Sequence, residues 1–244
     1  MPDATTLDPA EIEKFSRLAD AWWDESGPFK PLHAFNPTRL DYVVSMAEAR
    51  FEKREDGKSP LFGKNLLDVG CGGGLAAEPM ARLGACVTGV DGSEKNIAVA
   101  RLHAERSGIS ALYECREIGE QDREKFDVVL ALEVAEHVSD VAAFLRRACA
   151  AAAPGGMVIV STLNKTATSF LQAIVGAEYL LRWLPRGTHD WKKFLLPYDV
   201  MAQMERNGLE ICDASGFTYD FIGRQWKRGK NLSVNYVVCG HKAP

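Results

Sequence analysis

Residues 66–74 read LLDVGCGGG, an apolar run that ends in an acid and in a turn made almost entirely of glycine. The run from Leu66 to Val69 predicts a buried parallel strand. Glycine accepts backbone angles that side chains forbid, so this loop would let a ligand approach the main chain closely. Residues 75–83 predict a helix whose free N–H groups point back at the loop and favour an anion there. Together these elements predict a nucleotide-type pocket.

The acid at Asp68 bears on which nucleotide binds. The dinucleotide fingerprint needs a third small residue and a pyrophosphate on the helix N-terminus. A frame that starts at Gly72 can be fitted to that fingerprint, but in the frame that starts at Gly70 the third glycine position holds Leu75. A carboxylate just before the turn would also repel a pyrophosphate, whereas it suits a ligand with a cationic end. The stretch resembles the first motif of the S-adenosylmethionine methyltransferases, whose ligand carries an ammonium, a carboxylate and a sulfonium.

A second acid supports this resemblance. Residues 86–91 are mainly apolar and end at Asp91, which stands 21 positions after Gly70. A carboxylate at the tip of the neighbouring strand can accept two hydrogen bonds from a ribose diol. The alternative is that Asp91 caps the next helix, but Ser93 already fits that role. Asp91 is therefore predicted to bind the ribose.

Length and composition limit the class of protein. The chain has 244 residues, enough for one domain with additions, and its formal net charge of −4 gives no nucleic-acid footprint. Its six cysteines are scattered without C-x-x-C spacing, which indicates reduced thiols, not a disulfide frame or a zinc cluster. The acidic N-terminus has neither signal-peptide nor transit-peptide character, so a cytoplasmic location is expected.

Strand-like and helix-like segments alternate along the chain, which predicts a doubly wound α/β fold with a mostly parallel sheet. The predicted strands are 65–70, 86–91, 111–115, 126–132, 157–163, 209–217 and 233–240, and the predicted helices of this part are 75–83, 93–107, 139–152 and 198–207. Pro154-Gly155-Gly156 is expected to break the chain before the fifth strand.

The N-terminal part predicts a helical extension over residues 1–60, followed by the main domain over 61–244. One helix is expected over 8–25. Asn36 and Pro37 suggest the start of a second helix, with Asn as cap and Pro at the first helical position. That helix should run to about Arg54, within a charged stretch that leads to Pro60.

Ligands of such sheets bind beyond the carboxyl ends of the strands, which draws attention to the segment after the fourth strand. Glu133, Glu136 and His137 stand at i, i+3 and i+4, so a helical turn would place them on one face. They could bind a divalent metal, or one of them could take a proton. Alternatively, Glu133 is only solvated and His137 only precedes the next helix. After the third strand, Ile118 is predicted to form an apolar wall for an adenine ring.

Several further motifs resemble one family, the ubiquinone-biosynthesis O-methyltransferases, over residues 8–240. They are residues 22–23 (WW), 29–33 (FKPLH), 36–40 (NPTRL), 133–137 (EVAEH), 161–164 (STLN), 175–179 (VGAEY) and 187–190 (GTHD). The resemblance implies a class I, Rossmann-like methyltransferase fold with a seven-stranded sheet. It also carries the family's cofactor contacts to Arg39, Gly70, Asp91 and Leu132; Asp68 and Gly72 join them as loop residues.

The resemblance implies O-methylation of polyprenyl hydroxyphenols of the 3-demethylubiquinol and 2-polyprenyl-6-hydroxyphenol types. The cofactor would be S-adenosylmethionine, with S-adenosylhomocysteine as product. In eukaryotic relatives a metal is described at the positions of Glu133, Glu136 and His137, so Mg²⁺ or Zn²⁺ is a candidate here. Without a metal, His137 or Glu136 would act on the substrate proton. Two alternatives stay open: carbon or nitrogen methylation of another small molecule, and a cofactor-binding module without catalysis.

Residues 164–197 form a long insertion between the fifth strand and the next helix. Its centre, residues 170–184, is apolar but shorter than the roughly 20 residues of a membrane span. Basic residues between 165 and 193 surround it, which is typical of a helix that lies on an anionic membrane. The alternative is a lid helix packed on the core. Membrane contact would place the protein on the inner face of the membrane, where other quinone-biosynthesis enzymes are candidate partners.

Overall fold

The computed structural model of the chain describes residues 5–51, 56–166, 169, 191–220 and 223–244. Within these ranges the chain forms an eight-stranded sheet with helices on both faces. The strands are β1 (Asn65–Val69), β2 (Cys86–Asp91), β3 (Ala111–Cys115), β4 (Phe126–Leu132), β5 (Ala152–Leu163), β6 (Leu209–Asp220), β7 (Gln225–Gly229) and β8 (Asn235–Lys242). The helices are α1 (Pro9–Arg17), α2 (Lys30–Arg50), α3 (Ala77–Arg82), α4 (Glu94–Arg106), α5 (Val141–Ala151) and α6 (Pro197–Arg206).

The sheet has the strand order β3-β2-β1-β4-β5-β8-β6-β7. Strands β1 to β5 pair in parallel, β8 pairs antiparallel with β5 and β6, and β7 pairs antiparallel with β6. The predicted α/β class with a doubly wound, mostly parallel sheet is therefore confirmed. The order reverses between β1 and β4, which is where a sheet of this kind opens a crevice for a ligand.

The first strand shows why the sheet needs helices on both faces. Leu66 lies in one core cluster with Tyr42 of α2, whereas its neighbour Leu67 lies in a second cluster with Leu145 of α5. Successive side chains of a strand point to opposite faces, so a strand that is apolar at every position must be covered twice. Helices α2, α3 and α4 contribute to the first cluster, and α5 and α6 to the second.

The helix cap predicted at Ser93 is confirmed, and Asp8 provides another. Ser93 caps α4, and its hydroxyl accepts a hydrogen bond from the backbone N–H of Asn96 at 3.2 Å. Asp8 caps α1, where its carboxylate accepts from the N–H of Ala10 at 3.0 Å. Both contacts satisfy N–H groups that a helix start leaves without a partner.

The predicted start of α2 at Asn36 is wrong. The helix begins at Lys30 and contains Pro37 in its interior. Pro31 already occupies the first turn, where proline costs no hydrogen bond. Asn36 is buried, and its side-chain amide donates to the backbone oxygen of Leu75 at 2.7 Å. A tertiary contact therefore uses the side chain that local rules assign to a cap.

The first helix and the fifth strand also differ from expectation. Helix α1 ends at Arg17 and a single 3₁₀ turn follows at Ala19–Ala21, whereas a helix over 8–25 was predicted. Strand β5 already begins at Ala152, before the predicted break at Pro154-Gly155-Gly156. The pairing with β4 shifts register there, so these residues form a bulge and not a chain break.

The sheet has eight strands, one more than the seven expected, and the additional strand is β7. Its sequence, QWKRG, is polar except for Trp226, and most of it is exposed. An edge strand of this kind carries no apolar alternation, so the sequence pattern gave no signal for it. It forms a hairpin with β6 at the end of the sheet.

The apolar centre of the insertion, residues 170–184, and the helix predicted there lie outside the described residues. Within the described ranges, no helix combines the length and the apolar character that a membrane span requires.

The β6–β7 hairpin provides a matched test of packing, because Gly216 and Gly229 are paired across its two strands. A Cβ at Gly216 would overlap the backbone carbonyl of Asn231, whereas a Cβ at Gly229 would meet nothing within 4 Å. We expect Gly216→Ala to lower the free energy of unfolding by about 3 kcal/mol and Gly229→Ala to change it by less than about 0.5 kcal/mol. Urea unfolding of both variants measures this, and equal stabilities would contradict the packing described.

Candidate active site

A cavity of about 560 Å³ lies beyond the carboxyl ends of the parallel strands. The glycine loop after β1 forms part of its wall through Gly70 and Gly72. Both residues have positive φ angles, +69° and +53°, which side-chain-bearing residues rarely adopt. The N–H of Gly70 donates to the oxygen of Val90 at 2.8 Å, which ties the loop to β2. The glycines predicted from the sequence are therefore required by the backbone of the cavity wall.

Asp91 stands at the end of β2 on the same wall. One carboxylate oxygen accepts from the N–H of Gly72 at 3.0 Å, and the other accepts from the N–H of Ser93 at 2.8 Å. Burial raises the pKa of Asp91 above its ordinary value, and these hydrogen bonds oppose the rise. The side-chain amide of Asn96 also donates to Asp91, at 3.2 Å, so about one of the four acceptor positions of the carboxylate remains for a ligand hydroxyl.

Two apolar residues predicted for the cofactor site also line the cavity. Ile118 follows β3 and Leu132 ends β4, and both side chains are buried. They provide the apolar surface that a flat aromatic base needs on either side.

The N-terminal segment also lines the cavity, next to the glycine loop, and the sequence pattern did not predict this. Trp22 covers the glycine loop so closely that a Cβ at Gly72 or Gly73 would overlap its ring. Its indole N–H donates to the side-chain oxygen of Asn96 at 2.9 Å. The neighbouring Trp23 donates to the backbone oxygen of Gly73 at 2.9 Å. The tryptophan pair, noted in the sequence only as a family motif, therefore anchors the extension on the cavity.

Arg39 and Asp68 lie behind the cavity wall and not on it. Arg39 is 4% exposed, and its guanidinium donates to the side-chain oxygen of Asn36 at 2.7 Å. Burial lowers the pKa of Arg39, opposed by the charges of Glu133, Asp68 and Glu136. Burial raises the pKa of Asp68 to about 7 although Arg39 opposes the rise. Arg39 thus lies within electrostatic range of three acidic residues: Asp68 and Glu136, which are buried, and Glu133, which is partly exposed and lines the cavity.

The segment after β4 is not a regular helix. Glu133 has a φ of +58°, and only Ala135–His137 forms a 3₁₀ turn. Glu133 accepts from the hydroxyl of Ser161 at 2.8 Å, and Glu136 accepts from the hydroxyl of Thr162 at 2.6 Å. Both hydroxyls belong to β5, so the neighbouring strand holds both carboxylates. Burial and the nearby Glu133 raise the pKa of Glu136 to about 8.

His137 lines the cavity and contacts a residue far away in the sequence. Its Nδ1 lies 3.1 Å from Oε2 of Glu11 in α1. The other oxygen of Glu11 accepts from Nζ of Lys193 at 3.0 Å, and Asp8 accepts from the same Nζ at 3.0 Å. The contact with His137, followed by those with Lys193, holds the pKa of Glu11 well below its ordinary range despite burial. No local pattern could pair Glu11 with His137, because 126 positions separate them.

The three candidate metal ligands do not form a metal centre in this arrangement. Glu133, Glu136 and His137 bind Ser161, Thr162 and Glu11, respectively. Among the residues that the structure describes, no three His, Cys, Asp or Glu side chains come together as a metal-binding group. We therefore derive the chemistry from these side chains without a metal.

Comparison with known proteins agrees with this geometry. A family model described as a methyltransferase domain matches residues 40–214. One similar solved structure is the magnesium protoporphyrin IX methyltransferase of Synechocystis PCC 6803 with bound SAH. It has a TM-score of 0.65 and 20% identity, and the match covers 95% of this chain and 94% of that one. A possible histamine N-methyltransferase from Thermotoga maritima has a TM-score of 0.62 and 20% identity, covering 96% and 99%. The fold is that of the class I S-adenosylmethionine-dependent methyltransferases.

Closer relatives identify the family. A protein of Bradyrhizobium sp. (strain ORS 278) is 51% identical, with 98% of this chain and 94% of the relative covered. One of Nitrobacter winogradskyi is 50% identical, with 96% and 90% covered. Both are named ubiquinone biosynthesis O-methyltransferase. The chain belongs to the ubiquinone biosynthesis O-methyltransferase family, and its cofactor is S-adenosylmethionine.

The buried Asp68 predicts a specific pH dependence of stability. The pKa of Asp68 is about 7 in the folded protein and has its ordinary value of 3.8 in the unfolded chain, so the folded protein keeps this proton to a higher pH. Stability therefore falls as pH rises from about 4 to about 7, by a few kcal/mol at most. We expect Asp68→Asn to remove this part of the fall, as measured by urea unfolding at pH 5 and pH 7.5.

The exposed Asp20 provides the control, because Asp20→Asn should leave the pH dependence as in the wild type. An unchanged fall in Asp68→Asn would show that Asp68 is ionised in the folded protein across this range.

Proposed function

We propose that the chain methylates a phenolic oxygen of polyprenyl hydroxyphenols, of the 3-demethylubiquinol and 2-polyprenyl-6-hydroxyphenol types. The observation that carries this proposal is His137, a base on the wall of the cavity, with Glu11 at 3.1 Å from its Nδ1. The name of the relatives supports the pathway, and the apolar character of much of the cavity supports a prenylated substrate.

The cavity suits S-adenosylmethionine in size and lining. Sites for ligands of this size commonly have volumes of about 300–1,000 Å³, and this cavity has about 560 Å³. Asp91 would bind the ribose hydroxyls, with Ile118 and Leu132 as apolar walls of the adenine pocket. Gly70 and Gly72 would let the amino acid end approach the main chain. When bound, the cofactor supplies an electrophilic methyl carbon, and transfer to the phenolic oxygen leaves S-adenosylhomocysteine.

Arg39 and Asp68 would contribute from behind this wall. Direct contact between Arg39 and the cofactor, implied by the family resemblance, stays a prediction, because Arg39 is buried beside Asn36. Asp68 lies just before the glycine loop, where the ammonium end of a bound ligand would favour its ionised form and oppose the rise of its pKa. Arg39 would keep that carboxylate, Glu133 and Glu136 in place.

His137 would remove the substrate proton. A phenol has a pKa near 10 in water, so at neutral pH its proton must be accepted for the oxygen to react. If Nδ1–H donates to Glu11, the lone pair of the ring lies on Nε2, and that atom takes the proton. Glu136 is the second catalytic candidate. Its raised pKa would let it donate or accept a proton near neutral pH, but it lies deeper, with 3% of its surface exposed.

The site of action would be a membrane surface. Three large apolar side chains are exposed at the end of the insertion and just after it: Trp191, Leu196 and Tyr198. Together with the basic residues Lys165, Arg182, Arg186 and Lys192 of the sequence, they suit a segment that rests on anionic lipid. The substrate's tail could then stay in the bilayer while its ring enters the cavity. Contact with other quinone-biosynthesis enzymes stays a prediction.

The proposal is tested by methylation of a catechol that carries a short isoprenoid tail. We expect a product heavier by one methyl group, carried on oxygen, that forms only with S-adenosylmethionine. Because the described residues do not form a metal site, we expect full activity in EDTA. Vesicles of anionic phospholipid should bind the protein and speed turnover of the prenylated catechol.

Each part of this assay can fail separately. A methyl group on carbon, or no product from any prenylated catechol, would reject the proposed substrate class. Loss of activity in EDTA with recovery in Mg²⁺ or Zn²⁺ would instead support a metal bound by Glu133, Glu136 and His137. Absence of the protein from sedimented vesicles would reject the membrane surface.

The role of His137 is tested by substitution. We expect His137→Ala to lower kcat by about 10²–10⁴-fold, because a general base contributes about this much, while the affinity for S-adenosylhomocysteine stays within about twofold. Glu11→Gln should lower kcat by about 10-fold or more, since it keeps the shape but loses the charge that orients the ring. His241→Ala is the control, because His241 stands near the end of β8, away from the cavity. Unchanged kcat in His137→Ala would assign the residue a structural role.

A further inference from the structure

The cavity continues past the catalytic residues to the far end of the sheet. Beyond β5 its wall includes four aromatic side chains, which we call the aromatic wall: Phe35 of α2, Phe217 and Tyr219 of β6, and Trp226 of β7. Nothing in the cofactor site or in the proposed base uses these residues. They belong to the same cavity as Gly70, so a ligand could reach them from the methyl-transfer site.

The aromatic wall is held together by ring contacts. Phe35 lies 5.0 Å from Phe217 and 4.4 Å from Trp226, measured between ring centroids. Tyr219 and Trp226 are direct cross-strand partners, with ring centroids 5.5 Å apart. Phe217 is buried, whereas Tyr219 and Trp226 are partly exposed. The wall therefore offers aromatic surface to the cavity on a support that is already packed.

The position of the wall limits what can bind there. Four strand-to-strand intervals, through β5, β8 and β6, separate β4 from β7. At the usual spacing of a sheet this is roughly 19 Å. The proposed adenine and ribose contacts, Ile118 and Asp91, lie on the other side of β4, so that end of the cofactor would point away from the wall. The Phe35 side chain carries the wall back toward the site, because its ring contacts Trp226 and lies 5.1 Å from the guanidinium carbon of Arg39. A group attached to the phenolic ring and directed away from the adenine end would therefore meet the wall.

We propose that the aromatic wall binds the first isoprene units of the substrate's tail and so selects prenylated over unprenylated phenols. This inference rests on the proposed function. Isoprenoid chains are apolar hydrocarbons with a methyl branch on each unit, so their transfer from water to an aromatic surface is favourable. Strand β7, the strand that the sequence did not predict, supplies the outer part of the wall through Trp226. The hairpin is thus a specificity element and not only an edge of the sheet.

The test compares KM for an unprenylated catechol with KM for the same catechol carrying two isoprene units. In the wild type we expect the tail to lower KM by at least about tenfold, given the apolar surface it buries. In Trp226→Ala the tail should lower KM much less, while KM for the unprenylated catechol stays within about twofold of the wild type. We call this tail-dependent decrease in KM the gain. Trp226→Phe should keep most of the gain, because it preserves an aromatic face.

Two further variants separate binding from folding. Tyr219→Leu keeps an apolar side chain of similar reach, so it should fold and lose only part of the gain. Phe62→Ala removes an exposed aromatic residue outside the cavity and should leave the tail dependence unchanged.

A gain that survives in both Trp226→Ala and Tyr219→Leu, or a KM that rises equally for both catechols, would overturn the inference. If the wild type methylates neither catechol, the proposed function itself fails, and that result is distinct from a loss of tail dependence.

Discussion

The site depends on one buried cation. Arg39 of α2 lies behind the cavity with the carboxylates of Asp68, Glu133 and Glu136 acting on it. Burial disfavours the charged form of Arg39, and the three acidic residues oppose that effect. Asp68 belongs to β1 and Glu133 follows β4, the two strands between which the sheet reverses its order. One guanidinium therefore acts on acidic residues from both sides of the crevice, and it does so from a helix of the N-terminal extension.

The extension and the sheet domain build one site together. Trp22 covers the glycine loop, and Glu11 reaches His137 across 126 positions of sequence. Lys193, near the end of the insertion, contacts Glu11 as well. A division of the chain at residue 60 describes the sequence but not the cavity, because residues before that point also line it. His137, the proposed base, and Glu11 thus come from different parts of the chain, and their contact depends on tertiary packing.

The antiparallel end of the sheet lengthens the same cavity. Strand β8 turns the sheet antiparallel after β5, and the β6–β7 hairpin extends it with Phe217, Tyr219 and Trp226 facing the cavity. The predicted cofactor residues, the proposed base and the aromatic wall therefore line one cavity. This arrangement is the one expected for the proposed substrate, a small ring that carries a long apolar substituent.

The sequence by itself determined the elements whose signals are local. The apolar run before Gly70, the acid at Asp91 and the cap at Ser93 each depend on neighbours within a few residues, and each lies where the pattern predicted. The tertiary structure alone decided that Asn36 lies inside a helix, that Glu11 meets His137 and that Trp226 belongs to a strand. These features depend on contacts between distant segments, and such contacts leave no periodicity or spacing in a single sequence.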